Sequence, residues 1–206
     1  MNSAIVATRL LIAGNDKIGR RLLAQVGAID NLLLAADGTT DWRRVLRLVR
    51  RRRLPISWLI TMVWAEWRRP AVPAAPVAVI RTNRDLMALI ERGVRQVYLF
   101  RAGLIVDRAV LASGVEILNV HCASLSYGGI GGIIRALRDR SLRQSATLHR
   151  VTERIDAGEV VDAEPYDLEP SVSYRVNEDA AYAAGQRLLL GALAGTRAAS
   201  GRSHTA

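Results

Sequence analysis

A chain of 206 residues, half of them apolar, is long enough for one α/β unit with a sizeable core and too apolar to be disordered. The formal net charge of +10 invites a nucleic-acid surface, but Lys17 is the only lysine and much of the arginine is concentrated at Arg43, Arg44, Arg47 and Arg50 to Arg53. Cys122 is the single cysteine, which excludes an internal disulfide and agrees with a reducing, cytoplasmic compartment.

The amino-terminal stretch MNSAIVATRLLIAG has no basic segment before its apolar run and no small-residue cleavage site after it, so no secretory leader is expected. Arg9 to Ala13 reads as a buried parallel strand ending at Gly14. A loop to Gly19, helical spacing over Arg20 to Val26 and a second strand, Leu32 to Ala36, complete a β-α-β opening. Asp41 to Arg53 has Trp42, Val45, Leu46 and Val49 on one helical face, and Pro55 interrupts it. Ile56 to Trp67 is a second short helix, read as a core helix with a solvated basic neighbour. Pro70, Pro73 and Pro76 make a loop. Val77 to Ile80 is a strand, and Asn83 is placed as the cap of a helix from Arg84 to Arg92.

Val97 to Phe100 is a strand, Asp107 starts a short helix, and Val115 to Val120 is a strand ending at His121. The Gly-rich loop Tyr127 to Gly132 leads into a helix, Ile133 to Arg140. Ala146 to Val151 and Val160 to Ala163 are strands, and Glu178 to Ala194 is a helix. The alternation implies an α/β fold, doubly wound, with a mostly parallel sheet and helices on both faces. Residues 1–195 are expected to form a single unit, with 196–206 a disordered tail.

In such sheets ligands gather beyond the carboxyl ends of the strands. Asn119 and His121 lie two apart on a strand and therefore point to one side. Thr147 and His149 pair in the same way on the next strand, and Asp156-Ala157-Gly158 is a turn that carries a carboxylate. Of the three histidines, the two outside the tail thus belong to strands that feed one sheet edge.

The segment Leu118 to Val161 resembles the catalytic half of the folate-dependent formyltransferases. That family includes glycinamide ribonucleotide transformylase, methionyl-tRNA formyltransferase and the nucleotide-sugar N-formyltransferases. The resemblance rests on Asn119-Val120-His121, Ser124-Leu125-Ser126-Tyr127-Gly128-Gly129, Ala136-Leu137, Thr147-Leu148-His149 and Asp156-Ala157-Gly158, in that order and at matching spacings. The first half matches in its strand–helix plan alone.

The resemblance implies a Rossmann-like formyltransferase fold and formyl transfer from 10-formyltetrahydrofolate to the amine of a small-molecule acceptor. It implies that Asn119 donates a hydrogen bond to the formyl oxygen and that a protonated His121 assists. Asp156 would raise the His121 pKa and take up the proton of the amine. Thr147 and His149 would orient Asp156 and an ordered water. The pterin would lie on the backbone of Phe100, Arg101, Ala102, Gly103, Leu104 and Ile105 and on the turn at Gly158. No metal is implied, and His121, Cys122, His149 and Asp156 lack a closely spaced ligand pair.

The chain departs from the family pattern around the acceptor. Cys122 and Ser126 stand where prolines are usual, and Gly128 to Gly132 is a looser loop than the family's. This favours a nucleotide-linked amino sugar as acceptor over glycinamide ribonucleotide. Asn15, Lys17 and Gly19 could offer a phosphate cradle, with a plain tight turn as the equal alternative. A formyltetrahydrofolate hydrolase and a non-catalytic module binding through the Arg/Trp-rich segment are the other classes. No specific nucleic-acid partner is expected, and peripheral membrane contact through Ile56 to Trp67 is the lesser reading of that segment.

Overall fold

The computed structural model describes residues 8–27, 29–39, 49–50, 55–74 and 77–195. The arginine cluster from Arg43 to Arg53 lies outside them apart from Arg50, as does the tail 196–206. The strands are β1 (Arg9–Gly14), β2 (Leu32–Asp37), β3 (Ala78–Ile80), β4 (Gln96–Phe100), β5 (Glu116–His121), β6 (Arg143–Arg150) and β7 (Val160–Asp167). The helices are α1 (Lys17–Gln25), α2 (Ile56–Trp67), α3 (Asn83–Glu91), α4 (Arg108–Leu111), α5 (Gly132–Arg138) and α6 (Tyr174–Leu193), with a 3-10 turn at Leu125–Tyr127.

The strands form one sheet in the order β3-β2-β1-β4-β5-β6-β7. The pairings from β3 to β5 are parallel, and β5–β6 and β6–β7 are antiparallel. The doubly wound, mostly parallel sheet expected from the alternation is therefore observed.

Strand alternation divides the core. Leu11, Ala13, Tyr98, Phe100, Leu118 and Val120 point to the face covered by α1, α5 and α6. Leu10, Ile12, Val97, Leu99 and Ile117 point to the opposite face, covered by α3 and α4. Both faces are thus dry under helices, which is why the central strands read as unbroken apolar runs.

Local chemistry moves several boundaries. Asp16 caps α1 by accepting from the Gly19 N–H at 2.9 Å, so the helix starts at Lys17 rather than Arg20. The cap of α3 is Thr82, not Asn83. Thr82 accepts from the Asp85 N–H while Asp85 accepts from the Thr82 N–H, a reciprocal box that Asn83 has no partner to form. Asn83 instead donates to the Ile105 carbonyl at 2.9 Å. β7 continues through Pro165 because, as the outermost strand, it can lose a donor without breaking the ladder.

The helix α2 departs most from expectation. Of its residues only Ala65 is buried. It is fastened by polar joints: Glu66 accepts from the Lys17 N–H at 2.8 Å, and Arg69, just beyond it, is enclosed by Glu66, Glu178 and Asp179. Arg101 joins the same ion-pair group through Asp16 and Glu178. Among the described residues no helix is long and apolar enough to cross a membrane.

Candidate active site

The antiparallel register of β5 and β6 sets Asn119 directly across from His149 and His121 across from Thr147. Leu118, Val120, Ala146 and Leu148 turn to the α6 side, so these four polar residues project together on the other face. Asp156 reaches the same place from the β6–β7 connection. Its backbone is left-handed, with φ 50°. The turn is closed by Gly158, where an added Cβ would lie 1.8 Å from the Arg150 carbonyl oxygen. Replacing Gly158 with Ala must therefore shift the backbone that carries Asp156. Turnover is expected to fall while thermal unfolding stays cooperative, and unchanged turnover would show that the turn does not set the carboxylate's position.

The three motif residues converge. Asn119 Nδ2 is 3.4 Å from Asp156 Oδ1, and His121 Nδ1 is 3.6 Å from Asp156 Oδ2. His149 Nδ1 lies 3.1 Å from the Arg150 carbonyl oxygen, which can only accept, so this nitrogen carries the hydrogen. His149 Nε2 then accepts from Asn119 Nδ2 at 3.1 Å. That contact fixes which way the Asn119 amide faces. Its second N–H, at the long end of a hydrogen bond to Asp156, is the one an incoming oxygen can share.

The expected roles need two corrections. Thr147 does not hold Asp156: its hydroxyl is buried with no hydrogen-bond partner. His149 is 3.5 Å from Asp156 but bonds more closely to Asn119, so it orients the amide as much as the carboxylate.

Burial pushes the Asp156 carboxyl up, but His149 and His121 in their protonated forms, together with the Gly129 N–H, outweigh it and hold the carboxyl at about 2. Burial lowers the His121 pKa, and this outweighs the pull upwards from Asp156 and the Tyr127 carbonyl, with His149 and Arg135 adding to the lowering. The net shift is down, contrary to the sequence expectation. Removing the imidazolium from water costs more than one carboxylate 3.6 Å away returns. His121 Nδ1 faces the carboxylate, and Nε2 is buried with no hydrogen-bond partner. Cys122 is buried and its thiol is pushed well up, so it is no nucleophile.

The Gly-rich loop contributes more than its sequence suggested. The Gly129 N–H donates to Asp156 Oδ2 at 2.6 Å, with Gly129 and Gly131 both at positive φ. Arg135, one turn into α5, holds the loop by donating to the carbonyls of Tyr127 (2.7 Å) and Gly128. Sequence reading passed over Arg135. Its one clue is an arginine one helical turn beyond a glycine loop, within reach of that loop's carbonyls.

After β4, Phe100 is buried against Tyr182, and Arg101 has a left-handed backbone and stacks its guanidinium on Tyr182 at 4.4 Å. Gly103 donates to Asp37 Oδ2 at 2.6 Å. Leu104 is buried, Ile105 is exposed, and Ala102 and Val151 pack against the same core cluster as Leu104. The segment from Phe100 to Ile105 and the approach to the Asp156 turn thus both pack on the core layer under this face of the sheet.

Asn15, Lys17 and Gly19 do not come together as a phosphate cradle. The Gly19 N–H serves Asp16, the Lys17 N–H serves Glu66, and Lys17 Nζ donates to the carbonyls of Trp67 (2.9 Å) and Arg69 (2.6 Å). Asn15 Oδ1 accepts from Arg20. The Asp16 carboxylate also stands among them, where an anion would be repelled. Among the described residues no group of three or more His, Cys, Asp or Glu side chains could hold a metal ion.

No family model matches the chain, and no curated protein matches it by sequence. Solved structures do match it. A Mycobacterium tuberculosis protein named as a candidate sugar N-formyltransferase superposes with TM-score 0.65 at 15% identity, over 94% of this chain and 69% of its own. The phosphoribosylglycinamide formyltransferase of Bacillus halodurans gives TM-score 0.61 at 18% identity, over 91% and 94%. The chain has the formyltransferase fold. The formyltetrahydrofolate deformylase of Pseudomonas syringae is similar as well, with TM-score 0.59 at 17% identity, over 91% of this chain and 61% of its own. At these identities the likeness is one of architecture, and a formyltransferase fold thus serves proteins whose names give different acceptors.

Proposed function

We propose that the chain transfers a formyl group from 10-formyltetrahydrofolate to the amine of a small acceptor, a nucleotide-linked amino sugar. The observation that carries this reading is the convergence of Asn119, His121 and Asp156 on one side of β5 and β6, within a formyltransferase fold. The backbone from Phe100 to Ile105, braced by Asp37, and the turn at Gly158 fit a flat heterocycle that needs backbone partners and an apolar wall. The bound donor supplies an activated formyl carbon and a nitrogen that can depart.

The chain's own groups divide the remaining work. Asn119 offers an N–H to the formyl oxygen as negative charge grows there. His121 starts neutral and takes the amine proton at Nε2 as the new C–N bond forms. It returns that proton to the departing nitrogen. Asp156 stays ionised and stabilises the transient imidazolium across 3.6 Å. A carboxyl held at about 2 is too weak a base to be the main proton acceptor, so this duty passes from Asp156 to His121.

Two features favour an amino sugar on a nucleotide over glycinamide ribonucleotide. The first-loop donors are engaged within the protein, and the loop beside Asp156 is built from glycines at positive φ with Ile130 exposed. The test is a screen of amine acceptors with 10-formyltetrahydrofolate, read by the mass gain of a formyl group. Formylation of nucleotide amino sugars is the expected result. Formylation of glycinamide ribonucleotide alone, or release of free formate alone, would replace this acceptor with another.

The protonation states predict a pH profile. The base form of His121 is lost as pH falls through its lowered pKa, so kcat/KM is flat at neutral pH and declines with a midpoint below the ordinary imidazole value of 6.5. Asp156→Asn removes an upward influence on His121, so the residual activity should decline at a still lower pH. A midpoint unmoved by that change would show that the two groups are not coupled.

A further inference from the structure

The outward side of α2 carries an apolar stripe that no described part of the fold covers. Ile56, Ile60, Val63, Trp64 and Trp67 are 61%, 62%, 51%, 55% and 66% exposed, and their spacing puts them on one helical face. Leu59, Ile60, Val63, Trp64 and Trp67 line an open apolar groove of about 500 Å³. Large apolar residues grouped in this way mark a contact surface rather than the scattered exposure of an ordinary exterior.

The stripe is rigidly presented. The inner side of α2 is tied down by Glu66 to the Lys17 N–H and, one turn on, by Arg69 to Glu178 and Asp179 on α6. Arg68 is exposed at the carboxyl end of the helix, and its guanidinium lies 5.7 Å from the Trp64 ring centroid. The one acidic residue of α2, Glu66, is turned inward, and the sequence places Arg51, Arg52 and Arg53 just before the helix.

We propose that α2 is an interfacial docking helix that seats the protein on an anionic lipid surface. The stripe enters the headgroup boundary, the tryptophans sit at its level and Arg68 meets lipid phosphate. Twelve residues are too few to span a bilayer, which fits a helix lying in the interface plane. A second copy of the chain is the poorer occupant. A two-fold contact through this face would bring together two molecules that each carry a net +10. The location also suits function. α2 packs on α6, which covers one face of the sheet, while Asn119 and His121 project to the other. A molecule docked through α2 therefore keeps its reacting face clear of lipid.

The experiment is flotation of the full chain with vesicles of phosphatidylcholine alone or mixed with phosphatidylglycerol, read with tryptophan emission. Binding should require the anionic lipid, weaken with added salt and shift the emission to the blue. Ile60→Glu combined with Trp64→Glu should weaken partitioning at least about tenfold, and Arg68→Glu should weaken it less. Because these side chains are exposed, the melting temperature should not change. Absence of vesicle binding, equal binding to neutral vesicles, or unaltered binding by the double variant would overturn the proposal. So would a sedimentation dimer that the double variant dissociates, or a clear loss of its thermal stability, since either would show the stripe to be covered by protein.

Discussion

Replacing Asn119, His121 or Asp156 with Ala should lower turnover by ~100-fold or more in each case, the usual scale for losing one oxyanion donor or one acid–base group. The three losses differ in kind. Asn119→Ala removes the N–H that meets growing charge on oxygen, so it should act on kcat and leave affinity for a folate analogue nearly intact. His121→Ala removes the group that carries the proton and should also erase the acid limb of the pH profile. Asp156→Ala also frees the Gly129 N–H, now bonded at 2.6 Å, so it should loosen the Gly-rich loop and raise KM for the acceptor. Stopped-flow turnover alongside titration with a folate analogue separates these effects. Near-wild-type turnover in all three proteins would end the proposed chemistry.

The largest loss of stability is expected at Glu178→Ala. The Arg69 side chain is 1% exposed and that of Glu178 is 2% exposed, with the pair 2.7 Å apart. Removing the carboxylate strands a buried guanidinium that cannot lose its proton, and breaking such a pair costs ~3–5 kcal/mol. Asp179 and Glu66 remain beside Arg69, which places the effect at the lower end. Arg101 loses the same partner and its hold on the segment after β4 weakens with it. Urea denaturation reads the change directly. A double variant, Arg69→Met with Glu178→Leu, should recover most of the loss, because it removes both charges together. A midpoint unchanged in Glu178→Ala would show that water already reaches this group.

Much of the fold was legible because its central strands are short apolar runs closed by glycine or a polar residue, as at Leu10 to Gly14. The site was legible because its polar residues sit at fixed offsets within about forty positions, with Asn119 and His121 sharing a side through simple alternation. Other features depend on what sequence does not display. The partners Arg69 and Glu178 are 109 residues apart, and no periodicity links them. The sign of the His121 shift is a contest between burial and a carboxylate, and burial becomes visible only when the strands pack. The run from Ile56 to Trp67 is apolar enough to pass for a core helix, and only the packed structure shows that most of it faces outward. Thr82 and Asn83 are both good caps. Asp85 decides between them by standing at the right distance from the first.

The ionic clasp between α2 and α6 has a consequence for biosynthesis. α6 is made after every strand of the sheet, so a chain emerging from the ribosome presents Arg69 and Arg101 before Glu178 exists to meet them. The parallel core can assemble early, but the layer that closes over Arg69 must wait for α6. Closure of this layer is then a single step, in which two guanidinium groups are withdrawn from water together as α6 docks. Until that step, the part of the sheet that α6 covers stays open to chaperones and proteases.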